Sequence, residues 1–418
     1  MGHTVGKDAY RKLGRKIDNL SCRAPWNDAL YAILKELYSA DEAEVAIKMP
    51  YTPCTLAQIQ KGTAYTSDKL RTILDGMSAK GLIIDFWAGS DYRYILSPMV
   101  IGIFEFTMMR TCDDRQSKEW ARLFHDYMHG DKSFYQSNFG PGKKISPLRA
   151  LPHEGTVEES EYVEVLDYEK ATAIVEQADK FAVGVCSCRH EKLHLGTKKC
   201  DVPLELCTTI GKSTDYMVRH GVAKSAAKGE ILDNLARAKE MGLVLCADNV
   251  KEDVSFICFC CGCCCNVLLG ISEMGYPNTV VTSNYIAGTN TDVCAECGTC
   301  VEACPIHAIE MAPDGPPQID DSICMGCGVC ALKCTTGAMR LSKRDRRVLH
   351  PETTFQRVIL QCLERGTLQN LLFSDPQRMT HKFMRAFVGG FLKIPPVKKA
   401  LMTDTLRSSF LEFIQRGA

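Results

Sequence analysis

CAECGTCVEACP (294–305) and CMGCGVCALKCT (324–335) decide how this chain is read. The first places Cys294, Cys297, Cys300 and Cys304 in the spacing C-x2-C-x2-C-x3-C, and the second repeats it at Cys324, Cys327, Cys330 and Cys334. A cube of four irons and four sulfides needs one thiolate per iron on a compact body, which a tightly folded loop supplies from near positions. Gly298, Gly326 and Gly328 allow the backbone to come close to the sulfides. Structural zinc takes its ligands as two separated pairs, so two matched runs of four point to iron–sulfur clusters.

Working outward, 19 of the 23 cysteines fall between Cys186 and Cys334, and only Cys22, Cys54, Cys112 and Cys362 lie outside. Ten of the eleven that lie upstream of the repeat fall in two stretches. VCSCRHEKLHLGTKKCDVPLELC holds Cys186, Cys188, Cys200 and Cys207, and ICFCCGCCC holds Cys258, Cys260, Cys261, Cys263, Cys264 and Cys265. Ten ligands suffice for two further four-thiolate clusters or for one larger assembly, and not all need ligate. Adjacent side chains in extended chain point in opposite directions, so Cys260 and Cys261, or Cys264 and Cys265, are expected to serve different sites. Cys188, Cys200 and Cys207 are expected to act together with one or two thiols of the 258–265 run.

The two matched runs resemble the bacterial two-cluster ferredoxin over about 50 residues. In that family the fourth cysteine of each run reaches the other cluster. The resemblance therefore implies Cys294, Cys297, Cys300 and Cys334 for cluster I, and Cys324, Cys327, Cys330 and Cys304 for cluster II. Thr335 follows Cys334 where the ferredoxin pattern has proline, which frees a backbone donor that could raise that cluster's potential. With the upstream cysteines included, residues 181–339 resemble larger 4Fe-4S dicluster proteins of anaerobes, in which a C-x-C-R run, two further cysteines and a C-N-C-C-G-C-C-C run precede the repeat. Phe259 replaces the usual Asn. That family implies an electron-transfer component carrying two 4Fe-4S clusters and one or two further iron–sulfur clusters.

The rest of the chain predicts an α+β multidomain protein. Residues 1–100 read as a winged-helix-like module: Leu30, Ile33, Leu34 and Leu37 form one helical face, Leu70, Ile73, Leu74 and Met77 another, and LIIDFWAGSDYRYIL a hairpin. Its 13 Lys/Arg against 11 Asp/Glu is a weak balance for binding phosphates, so partner docking is expected over nucleic acid. Residues 101–160 form a helical linker region, with a helix from Ile101 to about Met128 and a Pro/Gly-rich loop. Residues 161–290 form a mixed α/β cysteine-rich domain, with strands at Tyr162–Asp167, Phe181–Val185 and LVLC (243–246). Residues 291–342 are the two-cluster ferredoxin domain and 343–418 a basic helical C-terminal segment, with 14 Lys/Arg against 6 Asp/Glu.

Composition excludes other classes. The 418 residues are 45% hydrophobic with 50 Lys+Arg against 50 Asp+Glu, which argues against disorder and against a uniformly basic nucleic-acid binder. The start has no apolar signal core, and no uncharged run is long enough to span a bilayer, so a cytoplasmic protein with reduced thiols and no transmembrane segment is expected. HKFMRAFVGGFLKIPPVKKAL (381–401) leaves open peripheral membrane contact. His190-Glu191-x-x-His194 fits the zincin pattern but sits inside the cysteine constellation, and Gly211-Lys212-Ser213 lacks the earlier glycine of a phosphate loop.

The leading expectation is an iron–sulfur electron-transfer protein, a subunit or partner of an anaerobic oxidoreductase rather than a stand-alone enzyme. The alternatives are a catalytic iron–sulfur reductase acting at the 186–265 cysteines, and a redox-sensing winged-helix regulator. No catalytic residue is assigned.

Overall fold

Local signals place the first elements. Asn27 accepts a hydrogen bond from the Leu30 amide at 2.8 Å and starts the helix Asp28–Leu37, whose Leu30, Ile33, Leu34 and Leu37 are buried. A reciprocal Ser39/Glu42 capping box starts Ala40–Lys48, and Thr66 caps Ser67–Ala79, which buries Leu70, Ile73, Leu74 and Met77. Gly81, at φ 75°, ends that helix, and β1 (Ile83–Ala88) pairs antiparallel with β2 (Asp91–Leu96) across a turn at Gly89.

The computed structural model describes residues 2–110, 115–158, 165–345, 347–348, 350–401 and 411. They divide into two units: Met1–Thr107 with Cys112–Ile145 and Phe355–Ala418, and Met108–Thr111 with Ser146–Thr354.

The first unit is mainly helical. Sequence reasoning sets 101–160 apart as a linker and 343–418 as a separate tail, and the structure distributes both differently. The helices Arg115–His129 and Ser133–Phe139 belong with the N-terminal helices. The C-terminal helix Thr354–Arg365 is fastened to them by buried polar groups. Arg365 donates to the carbonyls of Ser21 at 2.6 Å and Asn138 at 3.3 Å, and the Glu364 carboxylate accepts from the Lys144 and Ile145 amides. Such long-range partners of single polar residues are not readable from hydrophobic periodicity. The helix Met379–Leu392 follows, and Pro395 opens a separate helix, Pro395–Leu401.

The second unit is built on a six-stranded sheet: β3 (Leu148–Leu151), β4 (Phe181–Val185), β5 (Glu205–Ile210), β6 (Ala223–Ala226), β7 (Val244–Asp248) and β8 (Phe256–Cys260). Their spatial order is β3-β7-β8-β5-β4-β6, every neighbour antiparallel. β3 comes from the stretch expected as linker and takes an edge of the sheet. Of the strand expected at Tyr162–Asp167, residues 162–164 lie outside the described residues, and Asp167 opens a 3-10 turn instead. One face of the sheet buries Leu206, Leu245, Ala247, Ile257 and Phe259 with Ile231 and Leu235 of the helix Lys228–Glu240. The repeat contributes β9 (Tyr285–Thr289), β10 (Ile309–Met311), β11 (Pro317–Ile319) and β12 (Met339–Lys343), in which β9 pairs with β12 and β10 with β11. His153 donates its amide to the Cys327 carbonyl at 3.0 Å, and Lys333 reaches the Glu240 carbonyl at 3.0 Å, so the repeat is seated on the sheet domain.

Candidate metal centres

Each run of the repeat turns through a left-handed glycine into a short helix. Gly298 (φ 75°) precedes Thr299–Ala303, and Gly328 (φ 81°) precedes Val329–Lys333. These turns aim the first three cysteines of each run into one hollow. One hollow is lined by Cys294, Cys297, Cys300 and Cys334, and another by Cys304, Cys324, Cys327 and Cys330. The fourth cysteine of each run thus stands with the first three of the other.

The surroundings of the sulfurs suit soft-metal thiolate ligands. The Ala308 amide donates to Cys304 Sγ at 3.2 Å and the Met339 amide to Cys334 Sγ at 3.4 Å, bonds that favour a charged sulfur. Two hydroxyls join them at the first site: Thr299 Oγ1 lies 3.3 Å from Cys297 Sγ, and Thr336 Oγ1 3.6 Å from Cys334 Sγ. The Thr299 hydroxyl holds the Cys297 thiol below its ordinary range. At Cys334 partial burial pushes upward, but the Met339 amide and Thr336 hydroxyl outweigh it. Burial pushes Cys304 and Cys327 up, and Cys330 up to about 12. The donors that act on Cys334 include the Met339 amide, the Thr336 hydroxyl and the Ala338 amide.

Upstream, the thiols sort into two groups. Cys200, Cys261, Cys263 and Cys264 place their sulfurs within 4.8 Å of one another, with Cys200 3.6 Å from Cys261 and 3.8 Å from Cys264. A turn after β8, in which the Cys264 and Cys265 amides donate to the Cys261 carbonyl, brings Cys261 and Cys264 to one side. The remaining thiols form a chain of electrostatic neighbours: Cys207 with Cys258, Cys258 with Cys260, Cys260 with Cys246 and Cys265, and Cys265 with Cys188. Cys186 faces Cys188 and Cys207 electrostatically. Cys260 and Cys261 therefore part company, as do Cys264 and Cys265. The expected trio of Cys188, Cys200 and Cys207 is divided, because Cys207 lies on β5 while Cys200 stays in the loop before it.

Two further residues emerge from the structure. Cys246, fully buried on β7, adjoins Cys260 and stands opposite Cys258. Its own sequence context reads as an ordinary strand, and only the pairing of β7 with β8 exposes it. Arg189, 1% exposed, donates to the carbonyls of Phe259 and Pro203. Burial works against its charge, yet the sulfurs of Cys186, Cys261 and Cys260 hold the guanidinium above its ordinary range. The hydrogen bond with Cys264 and the nearby Arg189 pull the Cys261 thiol down to about 5 against the opposing effect of burial.

The zincin-like string has other duties. His190 Nδ1 lies 2.6 Å from the Met108 carbonyl, and Glu191, fully buried, accepts from Asn266 Nδ2 at 2.5 Å and pairs with Lys192 at 3.0 Å.

The four-thiol group and the repeat meet. A Cβ on Gly262 would lie 2.7 Å from the Pro305 carbonyl, so the 261–264 turn packs its backbone directly on the residue after Cys304.

Residues 293–338 match the family described as the 4Fe-4S dicluster domain. That domain, with the cysteine groups around it, makes this an iron–sulfur protein of electron-transfer type. No curated protein and no solved structure matched the chain. Among the described residues no helix is long and apolar enough to cross a membrane.

Proposed function

We propose that the chain is a multi-cluster electron relay, a subunit or partner of an anaerobic oxidoreductase, with two 4Fe-4S clusters in the repeat and further iron–sulfur clusters at the upstream thiols. When bound, the clusters supply one-electron storage. Cys294, Cys297, Cys300 and Cys334 would hold the first cluster, and Cys304, Cys324, Cys327 and Cys330 the second. The contact of Gly262 with Pro305 carries the reading, because it sets the four-thiol group against the loop of the second repeat site. Cys297 is exposed whereas Cys304, Cys324, Cys327 and Cys330 are buried, so the first site faces the exchange partner and the second faces inward.

Residues 294–342 carry 2 Lys/Arg against 6 Asp/Glu, a surface suited to a basic redox partner in the cytoplasm. The N-terminal winged-helix-like module fits docking better than DNA. Its helix Ser67–Ala79 exposes Asp68 and Asp75 beside Lys69 and Arg71, and Lys69 is paired with Asp41 at 3.3 Å.

A specific observation also favours peripheral contact with an anionic membrane. Met379, Phe383, Phe387 and Phe391, four residues apart along Met379–Leu392, are 53–75% exposed. Residues 376–403 hold six Lys/Arg and no Asp or Glu.

The relay is tested by stopped-flow oxidation of the reduced, anaerobic full chain by cytochrome c, a basic one-electron acceptor. A second-order rate that falls steeply with ionic strength, and falls again in Cys297→Ser, is expected. Steady turnover of a small disulfide or acyl substrate by the chain alone would favour the catalytic reading instead.

A further inference from the structure

The pairing of three strands aligns three cysteines in one row. Cys246 on β7 pairs with Cys258 on β8, and Thr208 on β5 pairs with Ile257, which sets Cys207 beside Cys258 on its other flank. Directly opposed residues of antiparallel strands have Cβ atoms about 4.5–5.5 Å apart and share a face of the sheet. Alternation gives the same face to Cys260, while Ile257, Phe259, Leu206, Leu245 and Ala247 fill the apolar core on the other. At the end of the row the chain leaves the sheet twice. Cys188, on the helix after β4, and Cys265, just before the helix Asn266–Ser272, are electrostatic neighbours there, and Cys265 is likewise a neighbour of Cys260.

A bare thiol is a weak donor and a weak acceptor, so this assembly has little to gain as a packed core. The environment supplies a second observation. The guanidinium of Arg189 is buried, donates to the carbonyls of Phe259 and Pro203, and leaves its Nε without a hydrogen-bond partner among the described residues. A buried cation is stable only beside anions, and thiols become anions at neutral pH when they bind metal.

We infer that Cys246, Cys207, Cys258, Cys260, Cys188 and Cys265, with Cys186 at the margin, form one polynuclear iron–sulfur site with more than four thiolate ligands, distinct from the group of Cys200, Cys261, Cys263 and Cys264. Soft sulfur donors select iron–sulfur clusters, and a cubane uses only four of them. β8 divides the two sites: Cys258 and Cys260 project to one, and Cys261, past the strand's end, belongs to the other. The inference rests on the relay reading and adds a second site beside the four-thiol group.

The test uses the full chain produced anaerobically with ⁵⁷Fe and followed by Mössbauer spectroscopy, with EPR of the repeat clusters recorded on the same samples. Cys246→Ala is expected to abolish or alter a Mössbauer component that Cys200→Ala leaves intact, and Cys207→Ala, Cys258→Ala, Cys260→Ala and Cys265→Ala are expected to alter that same component. Cys362→Ala, in the other unit, is expected to alter none. A component that ignores Cys246, or that is lost equally with Cys200, would overturn the inference. If Cys246→Ala does not fold, Cys246→Ser carries the test, since an oxygen ligand changes the spectrum whereas a serine in a packing position leaves it as it was. Intact repeat EPR with a silent Cys246 rejects this site alone, and missing repeat EPR in the unaltered chain rejects the relay.

Discussion

The hydroxyl oxygen of Thr336 lies 3.6 Å from the sulfur of Cys334, and in the other half of the repeat the corresponding place, two residues past Cys304, is taken by Ile306. The same asymmetry recurs at Thr299, beside Cys297, whose counterpart beside Cys327 is Val329. Hydrogen bonds to ligand sulfur and solvent exposure both raise a cluster's potential. The first site has both, so its cluster is expected at the higher potential. Thr336→Val and Thr299→Val should each lower one midpoint in an EPR-monitored redox titration and leave the other in place, while Thr336→Ser, which keeps the hydroxyl, should restore it. Two midpoints that move together would contradict the assignment.

Two glycines of the repeat should respond unequally to alanine. A Cβ on Gly326 would lie 2.1 Å from the Tyr285 carbonyl and 2.4 Å from Ser283 Oγ, at φ 68°, whereas Gly298, at φ 75°, faces open space. Gly298→Ala should cost about 1–2 kcal/mol for the left-handed conformation alone. Gly326→Ala adds a backbone clash and should lower iron content on anaerobic purification, while Gly298→Ala keeps full loading.

The sequence carried the repeat plainly, because ligand spacing on a tight loop is local and survives without knowledge of the fold. The helical faces at Leu30–Leu37 and Leu70–Met77 were equally local. Tertiary placement was not. That β3 joins the cysteine domain's sheet, and that Arg365 and Glu364 bind the C-terminal helix to the first 145 residues, depends on long-range pairing. Cys246 was hidden for the same reason. Its partner Cys258 is 12 residues away in sequence and adjacent only through strand register.

His350 should mark the acid limit of the second unit. Burial, then Arg149, Lys251 and Arg347, depress its pKa from 6.5 to about 3, and Nδ1 lies 2.7 Å from Asn249 Oδ1. A depressed folded pKa means that the unfolded chain binds the proton first. The contribution is full above pH 6.5 and is lost as pH falls toward 3. His350→Gln removes that titration, so its far-UV circular dichroism should show less acid destabilisation between pH 6.5 and 3 than the unaltered chain.

The aromatic stripe of Met379–Leu392 gives a separate expectation. Phe383→Asp with Phe387→Asp should reduce co-sedimentation with phosphatidylserine vesicles at least tenfold, and neutral phosphatidylcholine vesicles should retain little of either protein. Equal binding of both proteins to anionic vesicles would remove the membrane contact.

The proposed relay requires two cubes held by crossed ligation in the repeat and further iron at the upstream thiols. Iron and acid-labile sulfide per chain, measured on anaerobically purified full-length protein with EPR on stepwise reduction, test it most directly. The account predicts at least about 12 irons with matching sulfide and two magnetically interacting reduced cubes in the repeat. Colourless protein carrying stoichiometric zinc, or iron that saturates near eight, would contradict it.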